Sequence, residues 1–396
     1  MSLQNPVFIP GPTNMPEALR RACDMPTIDH RSAIFPDVLD RARAGVREVV
    51  KSREAEIFLF PSTGTGGWET AITNTLSPGD TVLAARNGMF SHKWIEMCKA
   101  HGLTVEFMDV AWGEGIPVAR FEEILTADRA HKIKAVLATH NETATGVVSD
   151  IAGVRKALTA AGHPALLFVD GVSSIGSMDF RFDDWGVDVA VTGSQKGFML
   201  PAGLGIVAFS RKAMHAATTG GLGRCYFDIH DMAKGYASGG YPYTPSVGML
   251  NGLGEACDML LAEGLEQVFD RHARIADGVR AAVQAWGLSL CAKRPELYSN
   301  TVSAICTPAG FDAGLIVARA ADTYGVACGA GLGDVAGKVF RIGHLGSLTD
   351  VMTLSGIATA EMVMVDLGLD ITLGSGVAAA QETYRASVAT MAMAAE

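Results

Sequence analysis

Short apolar runs alternate with longer segments of helical periodicity between residues 55 and 210. The runs have the length of strands and are almost continuously apolar, which predicts strands that are covered on both faces. Between them, apolar positions recur with the period of an amphipathic helix. This alternation predicts an α/β sheet, mostly parallel, with helices on its faces. The predicted strands are IFLF, TVLAA, TVEFMDV, KAVLAT, ALLFV, VDVAVT and LGIVAF, and the predicted helices include residues 67–76, 92–100 and 150–161.

The pattern changes after about Pro245, where one long helical stretch extends to Trp286. Strand-like and helix-like segments then follow in mixed order, which predicts a connecting helix and a smaller α+β domain. A chain of 396 residues is long enough for two domains or more. The predicted organisation is an N-terminal arm over residues 1–15, a large domain over residues 16–265 and a small C-terminal domain over residues 266–396.

Composition narrows the functional classes. The chain has 42 acidic and 32 basic residues, a net charge of −10 and no block of like charge, so we expect no nucleic-acid or anionic-membrane partner. Its seven cysteines are scattered and form no CxxC pair, which argues against a disulfide framework or a metal site and favours a reducing cytoplasm. The first ten residues do not resemble a signal peptide, and no apolar run approaches a membrane span.

The first candidate site follows the strand that ends at Phe60. Thr63, Gly64 and Thr65 lie between that strand and a helix that begins near Gly66. The start of a helix offers free N–H groups and the positive end of its dipole, which predicts a phosphate site. The segment has neither a Walker A motif nor a GxGxxG motif. On its own it is also typical of an ordinary glycine-rich turn in which a threonine caps the helix.

The second and third candidates are an acid and a lysine. Asp170 directly follows the strand ALLFV, and Lys196 follows the next strand along the chain. Open α/β sheets bind ligands at the carboxyl ends of their strands. A lysine that is buried there has a lowered pKa and becomes nucleophilic. Taken singly, Asp170 fits a turn cap and Lys196 fits a surface lysine with a buried stem.

Together, the phosphate loop, the acid and the lysine on one sheet edge predict pyridoxal 5′-phosphate (PLP) as cofactor. Asp170 would keep the pyridine nitrogen protonated, and Lys196 would hold the aldehyde as a Schiff base and move the substrate Cα proton. Phe90 would stack on the ring or begin the core face of its helix. Asn141, Glu142 and Thr143 follow another strand at this edge and would line the site or form a turn.

Arg341 lies between apolar residues in the segment FRIGHLG. A guanidinium in such a position binds a substrate carboxylate through two parallel hydrogen bonds, or it forms a buried ion pair. Both interpretations of Arg341 are open from the sequence.

Several motifs in this order resemble one known family. STGTGGWETA, HNETATG, VDGVSSIG, GSQKG and FRIGHLG are similar to those of the fold-type I, class V aminotransferases, in particular the alanine-, serine- and aspartate–glyoxylate aminotransferase group. The resemblance runs from residue 8 to about residue 350. It implies a large domain with a seven-stranded, mostly parallel sheet and a smaller C-terminal α+β domain. The implied activity is ping-pong transamination of glyoxylate to glycine, with L-aspartate or L-serine favoured as the donor, through a Schiff base at Lys196.

The resemblance also implies the roles of individual residues. Gln195 would contact the phosphate and Val172 would pack on the ring, whereas Tyr241 and Thr244 would reach the phosphate of a neighbouring subunit, which implies a homodimer with shared active sites. The segment PGPTNMP, which contains Gly11, would cover the substrate. The implied cofactor-binding residues are Thr63, Gly64, Thr65, Phe90, Thr143, Asp170, Val172, Gln195, Lys196, Tyr241 and Thr244, and the implied substrate-binding residues are Gly11, Asn141 and Arg341.

Three other functions are less consistent with the sequence. A cysteine desulfurase of similar layout has a histidine before its lysine and a catalytic cysteine on a mobile loop. Here Gln195 precedes Lys196, and Cys328 is the one cysteine in a predicted loop that would fit. A PLP-binding transcription regulator would carry a helix-turn-helix segment, which we do not recognise. A nicotinamide-dependent dehydrogenase would need a proper GxGxxG turn and an acid about 20 residues later.

Overall fold

The computed structural model describes residues 5–394, so that residues 1–4 of the predicted arm and 395–396 of the predicted small domain lie outside the described residues. The strands are β1 (Val7–Phe8), β2 (Glu56–Pro61), β3 (Thr81–Arg86), β4 (Thr104–Asp109), β5 (Ile133–Thr139), β6 (Asn141–Glu142), β7 (Val147–Val148), β8 (Leu166–Asp170), β9 (Val189–Gly193), β10 (Leu204–Phe209), β11 (Ser289–Leu290), β12 (Val302–Cys306), β13 (Ala327–Ala330) and β14 (Val339–Gly343). The helices are α1 (Glu17–Cys23), α2 (Phe35–Val49), α3 (Gly64–Thr75), α4 (Met89–Ala100), α5 (Val118–Ala127), α6 (Ile151–Ala160), α7 (Arg211–Ala217), α8 (Ile229–Ala237), α9 (Val247–Glu263), α10 (Leu265–Ala285), α11 (Gly314–Tyr324), α12 (Asp350–Asp366) and α13 (Ser375–Ala394). Two short 3₁₀ helices lie at Pro295–Leu297 and Gly333–Val335.

A seven-stranded sheet with the order β2-β10-β9-β8-β5-β3-β4 forms the centre of the molecule. It confirms all seven predicted strands and the mostly parallel α/β fold, because only β10 runs antiparallel to its neighbours β2 and β9. Alternate residues of a strand point to opposite faces. Accordingly, Ile57 and Leu59 of β2 pack in one hydrophobic core with α2 and α9, whereas Phe58 and Phe60 pack in a second core with α3 and α7.

One strand differs from the expectation that both faces are covered. β4 lies at the edge of the sheet and pairs only with β3. Its residues Glu106 and Phe107 are exposed, Phe107 to 38 %. The apolar run TVEFMDV therefore predicted the strand correctly but not its surroundings, since an edge strand has fewer neighbours to cover it.

A second sheet has five strands in the order β1-β13-β14-β12-β11 and packs against α10–α13. Its edge strand β1 comes from the N-terminal segment and pairs in parallel with β13, Val7 opposite Ala327 and Phe8 opposite Cys328. The sequence did not predict this pairing. The predicted long helix is also wrong in one respect, because it is two helices, α9 and α10, which separate at Gly264. The φ angle of Gly264 is +89°, a conformation that favours glycine. The domain boundaries stay a prediction.

Candidate active site

A cavity of about 200 Å³ lies at the carboxyl edge of the large sheet, between the N-terminus of α3, the end of β8 and the turn after β9. Every predicted cofactor-binding residue except Tyr241 and Thr244 lines it. Trp68 and Ser173 also line it, although neither was predicted from the sequence. The lining residues are Thr63, Gly64, Thr65, Trp68, Phe90, Thr143, Asp170, Val172, Ser173, Gln195 and Lys196.

Lys196 lies in the turn after β9, and its side chain is buried. Burial lowers the pKa of the Lys196 ammonium to about 8, and the positive charge of Arg341 acts in the same direction, whereas the negative charge of Asp170 opposes both. Nζ donates a hydrogen bond to the carbonyl oxygen of Pro10. The lysine is therefore not a surface residue with a solvated charge.

Gly11, a predicted substrate-binding residue, contacts Lys196 directly. Its φ angle is +92°, and a Cβ atom at this position would lie 2.5 Å from Cδ of Lys196. Both the backbone conformation and the close approach explain why a glycine stands here. The N-terminal segment thus contacts the Lys196 side chain through Pro10 and Gly11.

Asp170 is the last residue of β8 and is only 4 % exposed. Burial raises the pKa of its carboxyl to about 7, with a smaller contribution in the same direction from the charge of Glu142. The N–H of Val172 donates to Oδ1 at 2.9 Å and, together with Lys196, opposes this rise. Asp170 and Lys196 carry opposite charges when ionised, but burial favours the neutral form of each.

The N-terminus of α3 meets the cavity at Thr63, the residue that precedes the helix. Thr63 occupies the N-cap position of α3, but its side chain makes no capping hydrogen bond. The first N–H groups of a helix have no acceptor within it and attract anions. Beside them, the buried Oε1 of Gln195 accepts no hydrogen bond from any residue that the structure describes. This end of the cavity therefore offers unpaired polar groups.

A buried polar network supports one wall of the cavity. The Thr143 hydroxyl donates to Oγ of Ser173 at 2.7 Å, and Ser173 in turn donates to the carbonyl oxygen of Asn141. The Asn141 side-chain amide donates to Ser173 and to Thr301, each at 2.8 Å. Asn141 thus does not line the cavity, but it is hydrogen-bonded to Ser173, which does. Its predicted contact with the substrate stays a prediction.

Arg341 lies on β14 and is buried. Nε donates to the carbonyl oxygen of Ala330 at 2.8 Å and Nη1 to that of Thr143 at 3.1 Å. Burial lowers the pKa of the guanidinium to about 10, and the charge of Glu142 opposes this. Within residues 5–394, no carboxylate forms an ion pair with Arg341, so the buried ion-pair interpretation is wrong. The guanidinium keeps capacity for a further acceptor.

Tyr241 and Thr244 lie away from the cavity of their own chain. The Tyr241 ring packs against Tyr236 and Phe35, with centroid distances of 5.7 and 6.5 Å, and Thr244 is exposed. Their predicted contact with a neighbouring subunit stays a prediction.

Cys328 is not the loop cysteine that a desulfurase would require. It lies within β13, is buried, and burial raises the pKa of its thiol to about 12. A thiol in these surroundings is a poor nucleophile at neutral pH. Among the described residues, no group of histidine, cysteine and carboxylate side chains is arranged to hold a metal ion, and no helix is long and apolar enough to cross a bilayer.

Two residues of this site, Trp68 and Ser173, were not predicted from the sequence, and for a third, Glu142, the role was not predicted. Trp68 lies one helical turn after Thr65, and its ring stacks on Trp94 at 5.7 Å. Its spacing of three residues from Thr65 places it on the same face of the helix, and this spacing could have predicted it. Ser173 lies in the turn that follows Asp170. Glu142 was visible only as one polar residue of a loop, since its contacts lie far away along the chain.

A buried lysine and a buried aspartate at the carboxyl edge of this mostly parallel sheet, with a smaller sheet beside it, define the fold-type I architecture. The chain belongs to the class-V aminotransferase family, which matches residues 22–337. It is 72 % identical over 389 residues to the L-aspartate–glyoxylate aminotransferase of Paracoccus denitrificans, with 98 % of each chain covered. It is 53 % identical to the serine–glyoxylate aminotransferase of Hyphomicrobium methylovorum, covering 97 % of this chain and 95 % of the relative. The crystal structure of pyridoxamine–pyruvate aminotransferase from Mesorhizobium loti superposes with a TM-score of 0.91 at 27 % identity, covering 98 % of this chain and 99 % of the other.

Proposed function

We propose that this aminotransferase moves an amino group from a small L-amino acid, L-aspartate or L-serine, to glyoxylate and so forms glycine. The relative with 72 % identity is named for aspartate and glyoxylate, and the one with 53 % identity for serine and glyoxylate. Coverage of nearly the whole chain by both supports a shared reaction rather than a shared domain. Glyoxylate is the substrate that the two names have in common.

The observation that carries the proposal is the placement of Lys196 and Asp170 on one cavity beside the N-terminus of α3. These groups fit PLP. The N–H groups at the start of α3 suit a phosphate, and the side-chain NH₂ group of Gln195 would add a donor. A buried carboxyl with a pKa near 7 suits a pyridine nitrogen as partner. When bound, PLP supplies a ring that draws electrons away from the substrate Cα.

The residues of this chain would divide the remaining tasks. Thr63, Gly64 and Thr65 would bind the phosphate, and Phe90 and Val172 would hold the two faces of the ring, with the Thr143 hydroxyl beside it. Asp170 would keep the ring nitrogen protonated.

Lys196 would remove the proton from the substrate Cα and return it to C4′ of the cofactor. A pKa of about 8 leaves a useful fraction of this amine unprotonated near neutral pH. Arg341 would orient the α-carboxylate through its guanidinium, with Gly11 and Asn141 nearby.

We further propose a homodimer with shared active sites. Tyr241 and Thr244 do not reach the cavity of their own chain, and exposed aromatic side chains lie close to them. Tyr226 and Tyr243 are 39 % and 37 % exposed, and their rings stack at 5.3 Å. Such a patch, next to two residues that do not line the cavity of their own subunit, supports a contact with a second copy. Sedimentation analysis with Thr244→Ala and Tyr241→Phe variants would test it.

A half-reaction screen tests the substrates. Purified protein with PLP is mixed with one amino acid at a time, and the visible absorbance of the cofactor is followed. We expect L-aspartate or L-serine to change the spectrum fastest and glyoxylate to reverse the change with release of glycine. Lys196→Ala should bind PLP and yet lose turnover by several orders of magnitude. Activity of Lys196→Ala close to that of the wild type would contradict the assignment.

A further inference from the structure

Glu142 is a fully buried carboxylate next to the cavity, although it is not among the residues that line it. It lies on β6, directly after the loop that leaves β5 at the sheet edge. A buried carboxylate must be hydrogen-bonded or it strongly destabilises the fold. The partners of Glu142 therefore indicate what it does.

Its partners are backbone N–H groups from two separate segments. Phe90 and Ser91, in the first turn of α4, each donate to Oε2 at 3.0 Å, and Ala144 donates to Oε1 at 3.1 Å. The carboxylate thus takes the place of an anion at the N-terminus of a twelve-residue helix. Burial raises the pKa of Glu142, and these three N–H groups oppose that rise.

The first consequence concerns Phe90, whose ring lines the cavity. The hydrogen bond from the Phe90 N–H to Glu142 fixes the start of α4 relative to the edge of the large sheet. The contact is close, since a Cβ atom on Gly88 would overlap the Glu142 side chain. The Ser91 hydroxyl closes the same turn by accepting from the N–H of Gly88 at 3.0 Å.

The second consequence concerns Thr143, another residue that lines the cavity. Thr143 lies between Glu142 and Ala144, so the bond from Ala144 fixes the peptide groups on both sides of it. Thr143 lines the cavity with its side chain and accepts the hydrogen bond of Arg341 with its carbonyl oxygen. One carboxylate therefore connects the aromatic side chain, the hydroxyl and the arginine of the site.

We propose that Glu142 is a positioning residue of the transamination, which holds Phe90 and Thr143 against the cofactor from two directions. The inference rests on the proposed function, since it assigns Phe90 to the cofactor ring. It goes beyond that function because Glu142 itself contacts neither cofactor nor substrate. The alternative is that Glu142 only caps and stabilises α4 and does not affect cofactor binding.

A double-mutant cycle on cofactor affinity separates these two roles. The dissociation constant of PLP is measured for the wild type, Glu142→Gln, Phe90→Ala and the double variant, with Glu106→Gln as the control because Glu106 is an exposed glutamate on β4. Glutamine keeps one acceptor oxygen but turns an NH₂ group towards backbone donors. We expect Glu142→Gln to weaken PLP binding at least about tenfold, and the loss in the double variant to be smaller than the product of the two single losses.

Two further measurements complete the test. Glu142→Asp keeps the charge and should recover part of the affinity, and thermal unfolding shows whether each variant is folded. Unchanged PLP affinity in Glu142→Gln, or losses that multiply in the double variant, would overturn the inference and leave the proposed function standing. A wild-type protein that binds no PLP would overturn both.

Discussion

Replacing Lys196 by methionine should make the cofactor-free protein more stable while it abolishes the reaction. Burial lowers the pKa of Lys196 from 10.5 to about 8, which corresponds to about 3 kcal/mol for keeping the ammonium charged at neutral pH. Methionine fills a similar volume without a charge. Loss of the hydrogen bond to Pro10 returns about 1 kcal/mol. We therefore expect a net gain of roughly 1–3 kcal/mol, in the range seen when buried charges are replaced by apolar side chains.

The pH dependence gives the sign of the effect. In the unfolded chain Lys196 stays protonated up to about pH 10.5, whereas in the folded chain it loses its proton near pH 8. The unfolded state thus binds the extra proton between these values, and wild-type stability gains from rising pH in this window. The advantage of Lys196→Met should be largest below pH 8 and should vanish towards pH 10.5.

Thermal unfolding of the apoproteins between pH 7 and pH 10 measures this difference. Lys234→Met is the matched control, since the Lys234 side chain is 79 % exposed and should change stability little at any pH. A lower melting temperature for Lys196→Met at pH 7, or an advantage that does not shrink as the pH rises, would refute the account of Lys196 as a charge held in a buried site.

Two further predictions concern the other charged groups. Asp170→Asn should lower kcat at least about 100-fold with the circular dichroism spectrum unchanged, because a neutral amide cannot stabilise a protonated ring nitrogen; a loss below tenfold would contradict its role. Arg341→Ala should raise the KM of the amino donor and of glyoxylate alike, by about 10- to 100-fold. The KM values of Arg341→Lys should lie between those of the wild type and of Arg341→Ala, because lysine keeps the charge but not the planar guanidinium. Steady-state kinetics with both substrates varied would show an unchanged KM if Arg341 does not bind the carboxylate.

The parts of the fold that were predictable from sequence are those with a local cause. β8 and β9 are buried along their whole length, and a continuous apolar run is the pattern that such burial requires. Asp170 and Lys196 were found because each follows such a run directly, at the edge where ligands bind. The turn at Thr63 was predictable because glycine and hydroxyl residues precede a helix there.

The parts that were missed depend on contacts between distant segments. β1 has only two residues, and it exists because β13, some 320 positions later, offers an unpaired edge. The break at Gly264 requires a positive φ angle that periodicity does not reveal, since apolar positions recur on both sides of it. Cys328 was placed in a loop because ACGA has small residues and little strand propensity, yet pairing with β1 and β14 makes it a strand.

Glu142 combines both cases. Its presence after a strand at the ligand edge was visible, but its importance comes from N–H groups of Phe90 and Ser91, which precede it by about 50 residues. Glu142 and Asp170 are the buried acidic residues of this site, and Lys196 and Arg341 are its buried basic residues. Because burial disfavours all four charges, a cofactor phosphate and a substrate carboxylate would meet groups that the protein alone leaves poorly paired. This explains why stability and activity should respond in opposite directions to a change at Lys196.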